Sequence, residues 1–514
     1  MADAIDKVII ANRAGMAKKY GQAGISAIDD ALQRLIEADR SRGFVTSIVN
    51  IDNANEMARF GAAAIVNGKD ERGTKTAVDA ITDKTNPDYV VLLDGPDVIP
   101  HIRLNRIAGI SDDDTVIESD LPYACDVPFS RKASDYLAVT RVVGRLPMTR
   151  EAHQASAFAQ LIDRCATHAP KQPGDAASYF SISAEVWTQS TQLSLSEIFG
   201  SYAALFISPP DGHPGTDPSL RNPIHFINCH GATNDPQFYG QRDDVYPVAM
   251  ESSLVAPHVA AGSVVAAECC YGAELYDPAL TGSAQPICMS YLLGGATAFM
   301  GSTTIAYGPA DSNGQADLIT QYFLKNVLEG ASTGRAMLQA RQRFVQSQTM
   351  SGPTNLKTLA QFVLYGDPSL VAVSPPHHAV EALATSAADA TSSDARSGRK
   401  ARRIGMKSDG LALAEAASYP LRRDTAASPG AERIHAIARQ RGFSSEPVTL
   451  VVSGGPKFRE AAKVLDQKQK VVVVFDRAPD RQAAETGVKL PSYRALVAYM
   501  IGDGIAAIEE SESR

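Results

Sequence analysis

The chain has 514 residues, 44% hydrophobic and 21% charged, with a formal net charge of −8. These values describe an ordinary folded protein of about two to four domains and give no reason to expect nucleic acid or a membrane surface as partner. Six cysteines are too few for a disulfide framework, and no apolar run approaches the length that spans a bilayer.

Met1-Ala-Asp-Ala-Ile-Asp-Lys carries early acids and no apolar segment of the kind that directs secretion, so the expectation is a cytoplasmic chain. Residues 5–11 read as a strand. Residues 25–42 read as a helix with Ile28, Leu32, Leu35 and Ile36 on one stripe, and residues 44–50 as a second strand. A helix over about 73–84 leads to a strand at 89–93. This strand–helix–strand rhythm predicts a parallel sheet covered by helices. The run Ser111-Asp-Asp-Asp114 and the pairs Ser119-Asp120 and Cys125-Asp126 have oxygen ligands that suit calcium, but the expected reading is a solvated loop. A helix over about 150–167 precedes the strand Tyr179-Phe-Ser-Ile-Ser-Ala-Glu185.

Two later stretches carry the chemistry. Ile224-His-Phe-Ile-Asn-Cys-His-Gly231 and Val264-Val-Ala-Ala-Glu-Cys-Cys-Tyr-Gly272 are each a buried-strand pattern that stops at a reactive residue and a glycine. In an open parallel sheet, ligands sit at the carboxyl ends of the strands. Adjacent strands would therefore set the His230 imidazole beside a thiol, an arrangement suited to nucleophilic catalysis. The N–H groups of Gly231 and Cys269 are candidates to hold an oxyanion. A zinc site built from Cys229, His230, Cys269 and Cys270 is the competing chemistry. It is disfavoured because neighbours on an extended strand point to opposite faces, and because the spacing is not that of a zinc knuckle.

A strand ending in His-Gly, followed some forty residues later by one ending in Cys-x-x-Gly, resembles the caspase, legumain, separase and gingipain group of cysteine peptidases. Four further stretches resemble the gingipain branch and occur in its order: Tyr89-Val-Val-Leu-Leu-Asp-Gly-Pro-Asp-Val-Ile-Pro100, Val142-Val-Gly-Arg-Leu-Pro147, Phe299-Met-Gly-Ser-Thr-Thr304 and Tyr365-Gly-Asp-Pro-Ser-Leu370. The resemblance covers roughly residues 5–373. It implies a caspase-like three-layer α/β/α fold in two halves, 1–160 and 170–375, and a cysteine endopeptidase acting on protein or peptide substrates without cofactor or metal. Its Cys-x-x-Gly register implies Cys269 as nucleophile, with Cys270 as the alternative, and His230 as base. It also implies Glu185 as the group that orients the imidazole. The loop 302–309 would build part of the substrate pocket, with Ser302, Thr303, Tyr307 and Trp187 as candidate lining residues. No acid follows Glu185 until Glu197, which argues against the deep carboxylate that arginine-specific gingipains place about there. A peptide-binding pseudo-peptidase is the alternative function.

Beyond residue 374 the composition turns to Ala, Ser, Arg and Asp, and 376–444 reads as a flexible linker. Its basic pairs Arg402-Arg403 and Arg422-Arg423 suggest regulation by cleavage, including self-cleavage. Residues 445–514 read as a small α/β appendage, with strands at 448–452 and 470–475 and helices near 456–466 and 491–501.

Overall fold

The computed structural model describes residues 5–213, 216–375, 405, 407–408, 410–412, 421–424, 429–452 and 469–514. The strands in chain order are β1 (Lys7–Ala11), β2 (Thr46–Asn50), β3 (Tyr89–Leu93), β4 (Ile102–Asn105), β5 (Val116–Ser119), β6 (Val143–Leu146), β7 (Tyr179–Ala184), β8 (Leu205–Ser208), β9 (Ile224–Asn228), β10 (His230–Gly231), β11 (Gln237–Tyr239), β12 (Val248–Glu251), β13 (Val264–Ala267), β14 (Ala298–Ser302), β15 (Tyr307–Gly308) and β16 (Phe362–Gly366). The C-terminal part adds β17 (Leu421–Asp424), β18 (Val448–Val452), β19 (Gln469–Arg477), β20 (Arg481–Gln482), β21 (Lys489–Leu490), β22 (Tyr493–Ile501) and β23 (Gly504–Ser513).

Ten strands form one sheet in the order β2-β1-β3-β6-β16-β14-β13-β9-β7-β8. Every neighbouring pair is parallel except β14–β16, where the direction reverses. β1, β3, β6, β7, β9, β13, β14 and β16 are buried along their whole length, which is why they read as continuous apolar runs. One group of helices, Arg13–Ser41, Ala155–Thr167 and Ile287–Gly294, packs together. Thr188–Phe199, Gln315–Leu328, Thr333–Ser347 and Pro353–Gln361 form a second group. The expected α/β class with a large, mostly parallel central sheet is therefore present.

Several motif residues serve this frame. Lys7 pairs with Asp39 at 2.7 Å and with Asp367, so the Gly-Asp-Pro-Ser segment ties β16 to the first strand. Asp94 and Asp97 hold Lys19 at 2.8 and 3.0 Å. Arg145 of the Gly-Arg strand is fully buried and grips Asp120 through two nitrogens. The acidic run is not a solvated loop. Asp112 and Asp114 are buried against the Lys357 ammonium, and Asp112 accepts from the Tyr307 hydroxyl at 2.8 Å. Asp126 meets Arg141 at 2.7 Å and Lys407 at 2.8 Å. Fixed ammonium and guanidinium groups take these acids. Among the described residues, no group of three or more His, Cys, Asp or Glu side chains could hold a metal ion, and no helix is long and apolar enough to cross a membrane.

His225 on β9 has its ring fully enclosed. Its Nε2–H donates to the Asn222 carbonyl at 2.8 Å and its Nδ1 accepts from the Tyr291 hydroxyl at 2.9 Å. Burial pushes this imidazole down from its ordinary value near 6.5 to about 4. The unfolded chain then takes up a proton that the fold refuses. The contribution is complete above pH about 6.5 and is lost as the pH falls toward 4, amounting to about 3 kcal/mol. The expected result is a urea midpoint that drops between pH 7 and 4.5, with a shallower drop in His225→Gln. Equal slopes would remove His225 as the cause.

The C-terminal part departs from expectation. It is a six-stranded antiparallel sheet, β15-β23-β22-β19-β18-β17, whose first strand belongs to the main domain. The helix expected at 491–501 is strand β22. Leu496, Ala498 and Met500 face the helix Pro429–Gln440, whereas Val497 and Tyr499 face Leu450 and Val473 on the other side. A strand covered on both faces loses its alternation, so its pattern does not separate from a buried helix. Two pieces of the expected linker are regular structure, β17 and the helix Pro429–Gln440. Arg422-Arg423 accordingly lies in a paired strand, not on free backbone. Arg402-Arg403 and the helix expected at 456–466 lie outside the described residues.

Candidate active site

β9 and β13 are parallel neighbours, with Ala267 opposite Ile227, so the turns that follow them leave the sheet side by side. The first turn enters β10, which pairs antiparallel with β11 (His230 with Tyr239, Gly231 with Phe238). The second carries Cys269 and Cys270 into a tight turn. There Tyr271 has φ 55°, and its hydroxyl is held by Asp114 at 2.8 Å. The two turns touch at Gly231. A Cβ there would lie 2.0 Å from the Cys270 carbonyl oxygen and 3.4 Å from Cβ of Cys269. The glycine is therefore needed to let the histidine turn and the cysteine turn meet.

His230 is fully buried, with Trp187 4.3 Å away and Tyr246 5.6 Å away, centroid to centroid. Its Nε2 lies 2.7 Å from Oε1 of Gln241. The amide of Gln241 is oriented by its NH2 group, which donates to the Asp243 carbonyl at 2.9 Å and the Tyr246 hydroxyl at 3.2 Å. Its oxygen must then face His230, so Nε2 carries the proton and Nδ1 presents a lone pair. Nδ1 has no protein partner. Burial, and then the charge of Arg481, drive the imidazole well below its usual range, and Arg514 adds to this. The ring is thus neutral, with its free lone pair at Nδ1.

Both thiols are enclosed. Burial, and then Cys229, push Cys269 well above the usual thiol range. Burial pushes Cys270 up to about 12, and its sulfur contacts the Ala306 carbonyl at 3.6 Å. In this closed arrangement the proton sits on sulfur and the imidazole is uncharged.

Glu185 is placed differently from expectation. Its carboxylate binds the guanidinium of Arg242, and both side chains are partly exposed. The hydrogen bond that orients His230 comes from Gln241. Of the pocket candidates, Trp187 lies against His230, whereas the Tyr307 side chain turns to Asp112 and Lys357 and only its main chain pairs with Ser513. Ser302 and Thr303 are buried in bonds to the Thr304 carbonyl at 2.7 Å and the Glu118 carbonyl at 2.5 Å. Sequence reading missed Gln241, Asp317, Arg481 and Arg514. None lies in a motif, and Arg514 stands more than 240 residues from the cysteines.

The β23 edge closes this site. Ser513 pairs with Tyr307 and Glu512 with Gly308. Nε1 of Trp187 donates to Glu512 at 2.5 Å, and Arg481 bonds to both Glu512 and Ser513. The Arg514 guanidinium lies 4.6 Å over the Trp187 ring, and its Nη2 reaches both Asp317 oxygens at 2.8 and 3.0 Å.

Residues 250–373 match the model described as Peptidase family C25. This segment carries both cysteines, the loop to Tyr307 and Asp317, and here the gingipain resemblance holds. The match thus covers the cysteine side of the site, and His230 precedes the matched residues. Among solved structures, the complex of Porphyromonas gingivalis RgpB pro- and mature domains is 11% identical over 98% of this chain and 99% of that chain, with a TM-score of 0.48. The Arg-specific cysteine proteinase gingipain R is 9% identical over 99% and 97%, with a TM-score of 0.49. The Saccharomyces cerevisiae separase–securin complex is 14% identical over 47% of this chain and 15% of that chain, with a TM-score of 0.28. No curated protein gave a match.

Proposed function

We propose that the protein is a cysteine endopeptidase of gingipain type that works through Cys269 and His230. The observation that carries this reading is the meeting of the His230 and Cys269 turns at Gly231, on neighbouring parallel strands, with Nδ1 of His230 unpaired. The Cys269 sulfur attacks the substrate carbonyl as its proton passes to Nδ1. The N–H groups of Gly231 and Cys269 face the oxyanion. Collapse expels the amine, which takes the proton from His230 and leaves a thioester. Water then hydrolyses the thioester, with His230 again as base. Gln241 fixes the tautomer that this sequence needs, a positioning role. Substrates are proteins or peptides, and neither metal nor cofactor enters the reaction. Cleavage within 376–420, outside β17 and the helix Pro429–Gln440, by this chain or another copy, is the proposed route of release.

The test is covalent labelling with a peptide acyloxymethyl ketone, on the intact chain and after limited proteolysis within 376–420, with the modified residue mapped by mass spectrometry. An adduct on Cys269 that requires His230 is the expected result. No adduct on Cys269 under either condition, together with no hydrolysis of a mixed peptide library, would overturn the peptidase reading and leave a peptide-binding adaptor.

A further inference from the structure

The C-terminal strand fills the cleft beside the catalytic pair in the manner of an extended peptide. β23 adds antiparallel to β15, the segment just beyond the cysteine-bearing strands, and main-chain pairing of this kind is how sheets accept peptide ligands. The main chain of Arg514 reaches the same place, because its N–H donates to the Ala306 carbonyl, the group that the Cys270 sulfur contacts. Its side chain enters a buried pocket made by Trp187, Gly308, Pro309 and Asp317. The fit at Gly308 is close, since a Cβ there would lie within 3 Å of three guanidinium atoms.

The floor of this pocket is acidic. Asp317 and Glu268 are both fully buried, and Glu268 also accepts from Thr320 at 3.0 Å. Burial, and then the neighbouring Asp317, push Glu268 well above its usual range; burial raises Asp317 as well, but Arg514 opposes that rise, and Asp317 is the acid that faces the guanidinium. A buried carboxylate without a cation is costly, so the pocket requires a basic side chain. Yet only Nη2 of Arg514 is matched. Its Nε and Nη1 are buried with no protein partner. The occupant is thus bound by charge and strand pairing but incompletely satisfied, as a displaceable ligand would be.

We propose that β23 is an intramolecular pseudosubstrate: residues 511–514 occupy the peptide cleft beside His230 and Cys269, Arg514 fills the side-chain pocket on Asp317, and peptide enters only when this strand leaves. The proposal rests on the peptidase reading for its consequence in catalysis, but the occlusion itself is a binding statement. The specificity it assigns is for a basic side chain, with Asp317 as the determining residue. The carboxylate sought after Glu185 is supplied here by the helix Gln315–Leu328.

The test separates binding from turnover. In the full chain carrying Cys269→Ala, binding of a fluorescein-labelled peptide with the sequence of residues 504–514 is measured by anisotropy, with and without Arg514→Ala. Removing a tethered competitor should tighten binding at least about tenfold. A peptide ending in Ala should gain nothing, and adding Asp317→Asn should cancel the gain. If Arg514→Ala lowers the melting temperature too far for measurement, Arg514→Lys, which keeps the charge, is read the same way with a smaller gain. Equal peptide affinity with and without Arg514 would overturn the proposal, as would a gain indifferent to the peptide's last residue. Hydrolysis is followed separately in chains that keep Cys269. Tighter binding without turnover would uphold the pseudosubstrate and sink the peptidase reading. Turnover of a peptide whose affinity ignores Arg514 would do the reverse.

Discussion

Cys269→Ala is expected to lower peptide hydrolysis at least about a thousandfold, while Cys270→Ala retains most of it. In the turn after β13 the two thiols have different neighbours. Cys270 turns toward the Ala306 carbonyl and the main chain of Arg514. Cys269 is the residue whose Cβ lies nearest Gly231 and whose sulfur is influenced by Cys229, next to His230. The comparison is best made in chains that also carry Arg514→Ala, so that both variants have an open cleft. The value of kcat/KM for a fluorogenic peptide is the readout, with melting temperature confirming that each variant is folded. Loss in Cys270→Ala with activity kept in Cys269→Ala would move the nucleophile by one residue.

The largest effect on stability is expected from Asp120→Ala, about 3 to 5 kcal/mol. The Arg145 guanidinium is fully buried in β6. Its Nε and Nη2 bond to Asp120 at 2.9 and 2.6 Å, and its Nη1 bonds to the carbonyls of Asp94 and Ile99 at 2.9 and 2.7 Å. Burial alone would raise the Asp120 carboxyl, but Arg145 beside it holds it below the usual carboxylate range. Removing the carboxylate strands a cation that cannot lose its proton in a region water does not reach. A urea titration should show a much lower midpoint with the slope preserved. Breaking the exposed Arg34–Asp163 pair by Arg34→Ala is the control and should cost no more than about 1 kcal/mol. If the two losses are alike, the buried network contributes nothing beyond a surface contact.

The central sheet, and the meeting of the His230 and Cys269 turns at the carboxyl ends of its strands, are legible because both are written locally. β3 and β9 are apolar runs of strand length, and a reactive residue follows β9 and β13 directly. The stripe Ile28, Leu32 and Leu35 is the buried face of the helix Arg13–Ser41. What escaped reading depends on contacts far along the chain. Glu185 was expected on His230 because of its place after Ser-Ala, but Arg242 takes its carboxylate and Gln241 takes the ring. Nothing local distinguishes Gln241 from other polar loop residues. Asp112 and Asp114 look like a hydrated acidic loop until Lys357 arrives from more than 240 positions away. Strand β22 has apolar residues on both faces because two layers cover it. That erases the alternation by which a strand is usually told from a helix.

The pairing of β15 with β23 also orders events in time. A ribosome releases the central sheet, complete at β16, before any of β18 to β23 exists. At about 5 to 20 residues per second, the remaining stretch from residue 373 to 514 takes roughly 7 to 28 s to make. During that interval the histidine and cysteine turns can already meet while the strand that covers them is still being synthesised. Each new molecule therefore passes through an uncovered stage once, at birth. A chain stalled or truncated before residue 504 would stay in it.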